Sequence, residues 1–505
     1  MTHGPICLDL IERGARQHAD RIAVVVGERQ LTFADVDGLA NRLARALHAS
    51  GALPRARVAL LVNNGVHSVP LDFACVKAGV NRVPLNARLS AGEHARMLDE
   101  ARCGVLVFGP DLTERAAELK ALRPDLTCLN LETDLLALAE TQDPTAPPSD
   151  ARPNDVIITL YTSGTTGVLK AAQHTQASYA AICRNVLMNL FPAGPDDAML
   201  HAASLIHASG TFVLPLWLRG GRSVVLPGFA PDSFLDAIAR HRVTAINLVP
   251  TMLQMLLEHP ALETADVSSL QRIVYGASPM PRAVIQRAIA RFGQDRFWQY
   301  FGQTEVPLCI AVLRPEDHHG EQLGACGRPA ADVEIRLVDE TGRDVEPGQA
   351  GEILVRSPTA AAGYFDAPEL SAQTFDADGW VHTRDVGVFD AGGLLHLRDR
   401  TSDMIISGGY NIYPREVEDA LTGHPAVLEA AVVGLPDDKW VEAVTAVVVL
   451  RPGQTADQVE LIAHVADQIA SYKKPHRVVF AQAIPKTAVG KLDRKTLKAG
   501  LLADG

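Results

Sequence analysis

The chain has 505 residues, 47% of them apolar and 21% charged, with a formal net charge of −12 and a pI near 5.8. Length alone asks for about two to four folding units. The acidic balance excludes a sequence-independent nucleic-acid binder, which needs excess Lys and Arg to displace counterions; a local cluster of donors can still hold an anion. Seven cysteines without a CxxC pair read as buried thiols in a reducing compartment, not as a disulfide framework or zinc site. No basic-then-apolar leader opens the chain, and no run of about 18 apolar residues occurs. The expectation is a cytoplasmic protein with no integral membrane segment.

Helix and strand patterns alternate, which predicts α/β architecture. Residues 32–47 predict a helix: Thr32 and Asp35 form a capping interaction, and Val36, Leu39, Leu43 and Leu47 share one face. RVALLV (57–62) suits a buried strand, and VNRVPLN (80–86) follows a second helix. The Pro-rich stretch 141–154 reads as a surface loop or subdomain crossing. VIITLY (156–161) then runs straight into a Gly/Thr-rich loop. From about residue 320, VEIRLVD (333–339) and GEILVRS (351–357) stand between Gly/Pro turns, the pattern of a small antiparallel barrel or sheet ending near LHLRDRTSD (395–403). The last hundred or so residues read as a compact α/β unit. LEAAVVGL (428–435) and VTAVVVL (444–450) are its strands, and Val459, Ile462, Ala466 and Ile469 mark one face of a helix.

YTSGTTGVLK (161–170) carries the strongest chemical signal. Polyphosphate binding needs backbone N–H groups that converge on oxygen atoms, and glycines permit that approach. Gly164 and Gly167 supply it, Ser163, Thr165 and Thr166 add hydroxyl donors, and Lys170 adds positive charge. The segment does not match the GxxxxGK[ST] loop; a solvated turn is the competing reading.

The segment resembles the phosphate loop of the acyl- and aryl-CoA synthetases, adenylation domains and beetle luciferases. Five further segments resemble that superfamily's motifs, in order: YGASPMP (275–281), YFGQTE (300–305), DGWVHTRDVG (378–387), DRTSDMIISGGYNIYPREVE (399–418) and PKTAVGKLDR (485–494). The resemblance spans essentially the whole chain. It implies an α/β fold: a large N-terminal domain (1–400) of two mixed β-sheets with packed helices plus a small β-barrel, a hinge at 401–402, and a smaller mobile α+β C-terminal domain (403–505). It implies an acid–thiol ligase that joins a small-molecule carboxylic acid to coenzyme A at the expense of ATP, with Mg²⁺, as a monomer or homodimer.

The resemblance assigns ATP and AMP contacts to Thr162, Ser163, Gly164, Thr165, Thr166, Gly167, Lys170, Gly276, Ala277, Ser278, Phe301, Gly302, Gln303, Thr304, Asp385 and Arg400. Within that set Phe301 stacks on adenine, Thr304 meets the α-phosphate, and Asp385 with Arg400 meets the ribose. Glu305 holds Mg²⁺, a hard cation that bridges phosphates. Lys491 bridges the substrate carboxylate and α-phosphate. Ser402 is the hinge, and Ser407, Gly408, Gly409 and Trp440 face coenzyme A; core packing is an equal reading for Trp440. His207 and Gly302 border the substrate carboxylate, with a satisfied structural histidine as the other reading of His207. Arg384 and Val441 stand where the superfamily commonly has glycine. Residues 204–210 lack the Asp that an amino-acid adenylating relative uses for its substrate's amine. The pocket segments 204–212, 275–280 and 300–306 are mostly apolar or small, which favours a medium-chain fatty or aromatic acid over a dicarboxylate.

Overall fold

The computed structural model describes residues 4–163, 169–206, 208–278, 280–400, 403–407, 410–437, 440–487 and 491–503. Two large mixed sheets organise it. The first, of six strands, runs in the order Thr127–Asn130, Val105–Phe108, Arg57–Leu61, Asn81–Pro84, Val156–Ser163 and Leu169–Thr175. Its strands are parallel up to Val156–Ser163, which turns back antiparallel on Leu169–Thr175. The second, of nine strands, has a parallel centre formed by Arg222–Val225, Ala198–His201, Ala245–Leu248, Arg272–Gly276 and Phe297–Gln303. Val306–Leu313 then closes its edge in the antiparallel sense.

Central parallel strands are buried on both faces and so need helices on both. Helices Cys7–His18, Phe33–Ala49 and Ser68–Lys77 fill the layer between the two sheets, where Leu43, Leu47 and Phe73 pack with Val58 and Leu60 of the first sheet and Val24 of the second. Pro231–His241, Pro250–Glu258 and Arg282–Phe292 cover the outer face of the nine-stranded sheet. The helix expected over 32–47 starts where its cap stands. Thr32 Oγ1 accepts from Asp35 N–H at 3.0 Å, and Thr32 N–H donates back to the Asp35 carboxylate at 2.9 Å.

Residues 141–154 form an irregular surface segment. Arg45 donates to the Asp143 carbonyl at 3.2 Å, and Arg55 pairs with Asp150 at 3.1 Å. The small β unit is a four-stranded antiparallel sheet, Glu334–Val338, Gly351–Arg356, Val381–Phe389 and Leu395–Arg400. The C-terminal unit is a second small sheet led by the long Val427–Asp437 and Val441–Leu450 pair, with its own apolar core of Val432, Val448, Leu461 and Val465.

The helix of this unit buries only part of the face expected of it. The helix Gln458–Gln468 buries Leu461 and Val465, whereas Val459 is 74% exposed. At 3.6 residues per turn the stripe that includes Leu461, Ile462, Val465 and Ile469 leaves Val459 on its flank, about 100° round the helix from the stripe's centre. Alanine and β-branched residues around the whole helix blur that periodicity.

All seven cysteines are free, and six are buried. Among the described residues no helix is long and apolar enough to cross a membrane.

Candidate active site

The candidates on the hairpin, the 276–278 turn and the 301–305 segment lie at the carboxyl ends of strands of the two large sheets, the place where open α/β sheets leave a crevice for ligands. Val156–Ser163 and Leu169–Thr175 form a hairpin with Thr162 opposite Lys170. The Gly/Thr loop therefore joins two antiparallel strands. Gly164, Thr165, Thr166 and Gly167 lie outside the described residues, as do His207, Ser402, Gly408 and Gly409.

The Thr304–Glu305 turn links Phe297–Gln303 to Val306–Leu313, and three independent contacts fix it. His174, on the return strand of the hairpin, donates its Nε2 proton to the Thr304 carbonyl at 2.8 Å. Burial pushes the His174 pKa down to about 4, so the ring is neutral at pH 7 and serves as a fixed donor. Ala361 N–H donates to the Glu305 carbonyl at 2.8 Å. Tyr364 Oη donates to Glu305 Oε1 at 2.5 Å, a charge-assisted contact inside the protein. The Tyr364 hydroxyl pKa is raised, first by burial and then by the Glu305 charge, which keeps it protonated as a donor. Lys170 Nζ lies 5.5 Å from the centroid of the same tyrosine ring. Hairpin, turn and the 361–365 segment thus form one support around a single buried carboxylate. Sequence reading missed His174 and Tyr364, because each acts through contacts over 130 and 59 residues that no local pattern announces.

Gly302 must be glycine for a packing reason. A Cβ there would stand 2.5 Å from the Leu308 carbonyl oxygen and 2.6 Å from its nitrogen. Gln303 Nε2 is buried without a hydrogen-bond partner among the described residues, the mark of a donor kept for a ligand or water. Next to Gly276, Ala277 has φ +65, a left-handed conformation that turns the chain sharply at the strand end.

Asp385 and Arg400 are direct partners across adjacent antiparallel strands. The structure thereby joins the two residues assigned to one ribose, although they lie fifteen apart in sequence. Asp385 is buried, and its N–H donates to Thr383 Oγ1 at 3.1 Å. Arg384, where glycine was expected, holds φ +63, and Val441, the other such position, holds φ +71. The backbone shape survives both replacements at the cost of strain, which is greatest for a β-branched side chain. Val441→Gly is expected to raise stability by about 1 kcal/mol, read from thermal denaturation; an unchanged or lower midpoint would refute the strain.

The remaining candidates sit on the C-terminal unit. Ser407 is buried and pairs with Val441. Trp440 packs its ring 5.0 Å from that of His476, and its N–H donates to Asp437 at 2.9 Å. Lys491 is exposed; its N–H donates to Thr487 Oγ1 at 3.2 Å and its carbonyl accepts from Thr487 N–H at 2.7 Å. Arg494, three residues on, donates to Glu418 at 2.6 Å and to the Val432 carbonyl at 3.2 Å.

Among the described residues no group of three or more His, Cys, Asp and Glu side chains could hold a metal ion. Glu305 offers one buried carboxylate. That fits Mg²⁺, which is usually held by one or two carboxylates together with substrate phosphates and water.

Comparison with known proteins places these features in a wider group. The AMP-binding enzyme family model matches residues 11–365, and the AMP-binding enzyme C-terminal domain model matches residues 416–491. The chain is 36% identical to the medium/long-chain-fatty-acid–CoA ligase FadD8 of Mycobacterium tuberculosis, over 97% of this chain and 89% of that one. It is 38% identical to a feruloyl-CoA synthase of an Amycolatopsis species, over 95% and 96%. The solved structure of the amide bond synthetase McbA from Marinactinospora thermotolerans superposes with a TM-score of 0.91 at 34% identity, over 98% of this chain and all of that one.

Proposed function

The chain belongs to the AMP-binding enzyme family, and from that premise we propose that it is an ATP-dependent carboxylate–CoA ligase acting on a fatty or aromatic acid in the cytoplasm. The observation that carries the reading is the support around Glu305: the phosphate hairpin, the Thr304–Glu305 turn and Tyr364 joined at one strand end. Relatives of comparable length that are named for fatty-acid and feruloyl CoA ligation support it.

In the first half-reaction a carboxylate oxygen bonds to the α-phosphorus of ATP, the bond to the β-phosphate bridging oxygen breaks, and pyrophosphate leaves. In the second, the CoA thiol loses its proton to solvent, its sulfur bonds to the acyl carbon, the acyl–oxygen bond breaks, and AMP leaves with that oxygen. Little covalent chemistry falls to the protein, so positioning and charge stabilisation carry the rate. The Gly/Thr hairpin and Lys170 hold the phosphates, Phe301 stacks on adenine beside the 276–278 turn, and Asp385 with Arg400 accepts and donates at the ribose. Thr304 donates to the α-phosphate, with its backbone held by His174. Bound Mg²⁺ supplies neutralisation of phosphate charge, with Glu305 as its protein ligand. The C-terminal unit, pivoting at 401–402, presents Lys491 for the first step and the 407–409 segment with Trp440 for the second.

The test is pyrophosphate release across a panel of fatty, aryl and dicarboxylic acids, with and without CoA. Acid-dependent release with CoA-dependent thioester is the expected result; equal, feeble release with every acid would overturn the reading. Tyr364→Phe removes one hydrogen bond and keeps the ring near Lys170. It is expected to raise the Mg²⁺ concentration for half-maximal rate about tenfold, the usual scale for a residue that orients a metal ligand. An unmoved Mg²⁺ titration would show that Tyr364 does not position Glu305.

A further inference from the structure

The C-terminal unit meets the outer helices of the nine-stranded sheet at a patch held by charge. The helix Pro250–Glu258 ends on an acid: Glu258 is its last residue, and no basic residue stands in its last turn. A glutamate there faces the negative end of the helix dipole, a placement that costs free energy unless cations sit against it. Two arginines do. Arg287, on the helix Arg282–Phe292, lies 3.8 Å from Glu258 Oε1 and donates to the Leu257 carbonyl at 3.4 Å. Arg451, which follows the strand Val441–Leu450 of the C-terminal unit, lies 4.0 Å from the same oxygen. One carboxylate of the large domain is thus shared between a cation of its own domain and a cation of the C-terminal unit.

Glu258, Arg287, Leu428, Arg451 and Pro452 line an open cleft of about 550 Å³. The three charged side chains are 46, 43 and 30% exposed in that order of Glu258, Arg287 and Arg451, so water reaches them and they add little to the stability of either domain. The backbone of Arg451 is fixed to its own unit. Its N–H donates to the Ala426 carbonyl at 2.8 Å, and its carbonyl accepts from Gln454 N–H at 3.0 Å. The guanidinium therefore travels with the C-terminal unit. Conformers of one folded protein lie much closer in free energy than its folded and unfolded states. A threefold change in the ratio of two domain orientations is about 0.7 kcal/mol, at 1.4 kcal/mol for each factor of ten, which is within the reach of one exposed ion pair. A contact too weak to matter for folding is strong enough to bias a pivot.

We propose that Glu258 is an electrostatic latch: through Arg451 it holds the C-terminal unit in the orientation of this structure, and Arg287 tempers its grip. This rests on the ligase reading, in which that unit pivots at 401–402 between the two half-reactions. The signs follow from Coulomb's law. Glu258→Gln removes the attraction and leaves Arg287 and Arg451 facing each other as like charges, so the unit leaves this orientation more often. Arg451→Gln removes the attraction without that repulsion and acts in the same direction, more weakly. Arg287→Gln removes both the competitor and the repulsion, leaves Glu258 to Arg451 alone, and makes the orientation more populated. Lost packing would give all three substitutions one sign, whereas charge gives opposite signs within one patch. In about 1 M NaCl, where the Debye length is about 3 Å, the differences shrink because exposed charges at these separations are screened.

The experiment has two arms on the full chain. In the first, spin labels are placed at the exposed positions Leu53→Cys and Val459→Cys, one in each domain, with the half-buried Cys128 changed to serine and the six buried cysteines kept. Pulsed-EPR distances are recorded without substrates. Glu258→Gln is expected to deplete the main distance population about threefold relative to the others, Arg287→Gln to enrich it, and 1 M NaCl to bring the variants together. In the second arm, pyrophosphate release from acid and ATP and CoA-dependent consumption of acyl adenylate are measured for the same substitutions. Each half-reaction proceeds from its own orientation, so the ratio of their rates follows the equilibrium between the two. That ratio is expected to move about threefold in Glu258→Gln and the opposite way in Arg287→Gln; taken within each variant, it is insensitive to a general loss of folded enzyme. Distances or a rate ratio that Glu258→Gln leaves unmoved, or that Arg287→Gln moves in the same direction, overturn the latch and leave the ligase reading standing. Pyrophosphate release that does not depend on acid overturns the ligase reading instead, and the distances, measured without substrates, still decide the latch.

Discussion

Replacing Lys491 with alanine is expected to lower acyl-adenylate formation by about 10²–10³-fold or more, while thioester formation from supplied acyl adenylate stays near the wild-type rate. The lysine is exposed; its backbone is held by the two Thr487 contacts, and Arg494, three residues on, is fastened to Glu418. Its side chain supports no core, so alanine should leave the fold intact. In the first half-reaction two anions must meet, a carboxylate and a phosphate whose negative charge grows towards the transition state. An ammonium between them orients the nucleophile and offsets the growing charge, and both effects vanish with the side chain. The second half-reaction joins a thiol to an already activated acyl group and has no such need. The two steps are measured separately, as pyrophosphate release from acid and ATP, and as CoA-dependent consumption of synthetic acyl adenylate. Equal loss in both assays would contradict the role and point to a lysine that only maintains structure.

That lysine illustrates how the sequence divides into legible and illegible parts. Its motif is local, PKTAVGKLDR, and so are YFGQTE and the Thr32 cap; each is carried by residues close enough in sequence to be read together. The strands over 57–61, 81–84, 351–356 and 441–450 were readable for the same reason, since short apolar β-rich runs lie between turn residues. What could not be read is long-range and depends on burial. His174 resembles any strand histidine until Thr304 arrives from 130 residues away. Arg82 reads as a surface charge, yet it is fully buried, within 2.5 Å of Asp72 and 5.1 Å above the Tyr179 ring. Glycine positions were half legible. Arg384 and Val441 interrupt the pattern in sequence, but the backbone keeps the left-handed turn that glycine would have adopted.

Glu305→Gln should produce the second large effect, a loss of about 10²-fold in turnover at limiting Mg²⁺ that added metal partly recovers. The substitution is nearly isosteric. The glutamine oxygen can still accept from Tyr364 Oη, and the bonds that the Glu305 and Thr304 carbonyls accept from Ala361 and His174 do not involve the side chain. One negative charge is therefore removed from a buried position with little change of shape, which separates electrostatics from packing. A hard cation prefers an anionic oxygen to an amide oxygen, so its site on the phosphates loses the protein's anchor and the phosphate charge is less well neutralised. In an MgCl₂ titration of pyrophosphate release, the half-saturating concentration should rise more than it does for Tyr364→Phe, because that variant leaves the carboxylate itself in place. If Glu305→Gln lowers turnover without moving the metal dependence, Glu305 acts on the turn and not on the cation, and the buried Tyr364 contact becomes a purely structural clamp. If both variants move the metal dependence and Glu305→Gln moves it further, the carboxylate is the ligand and the tyrosine is what aims it.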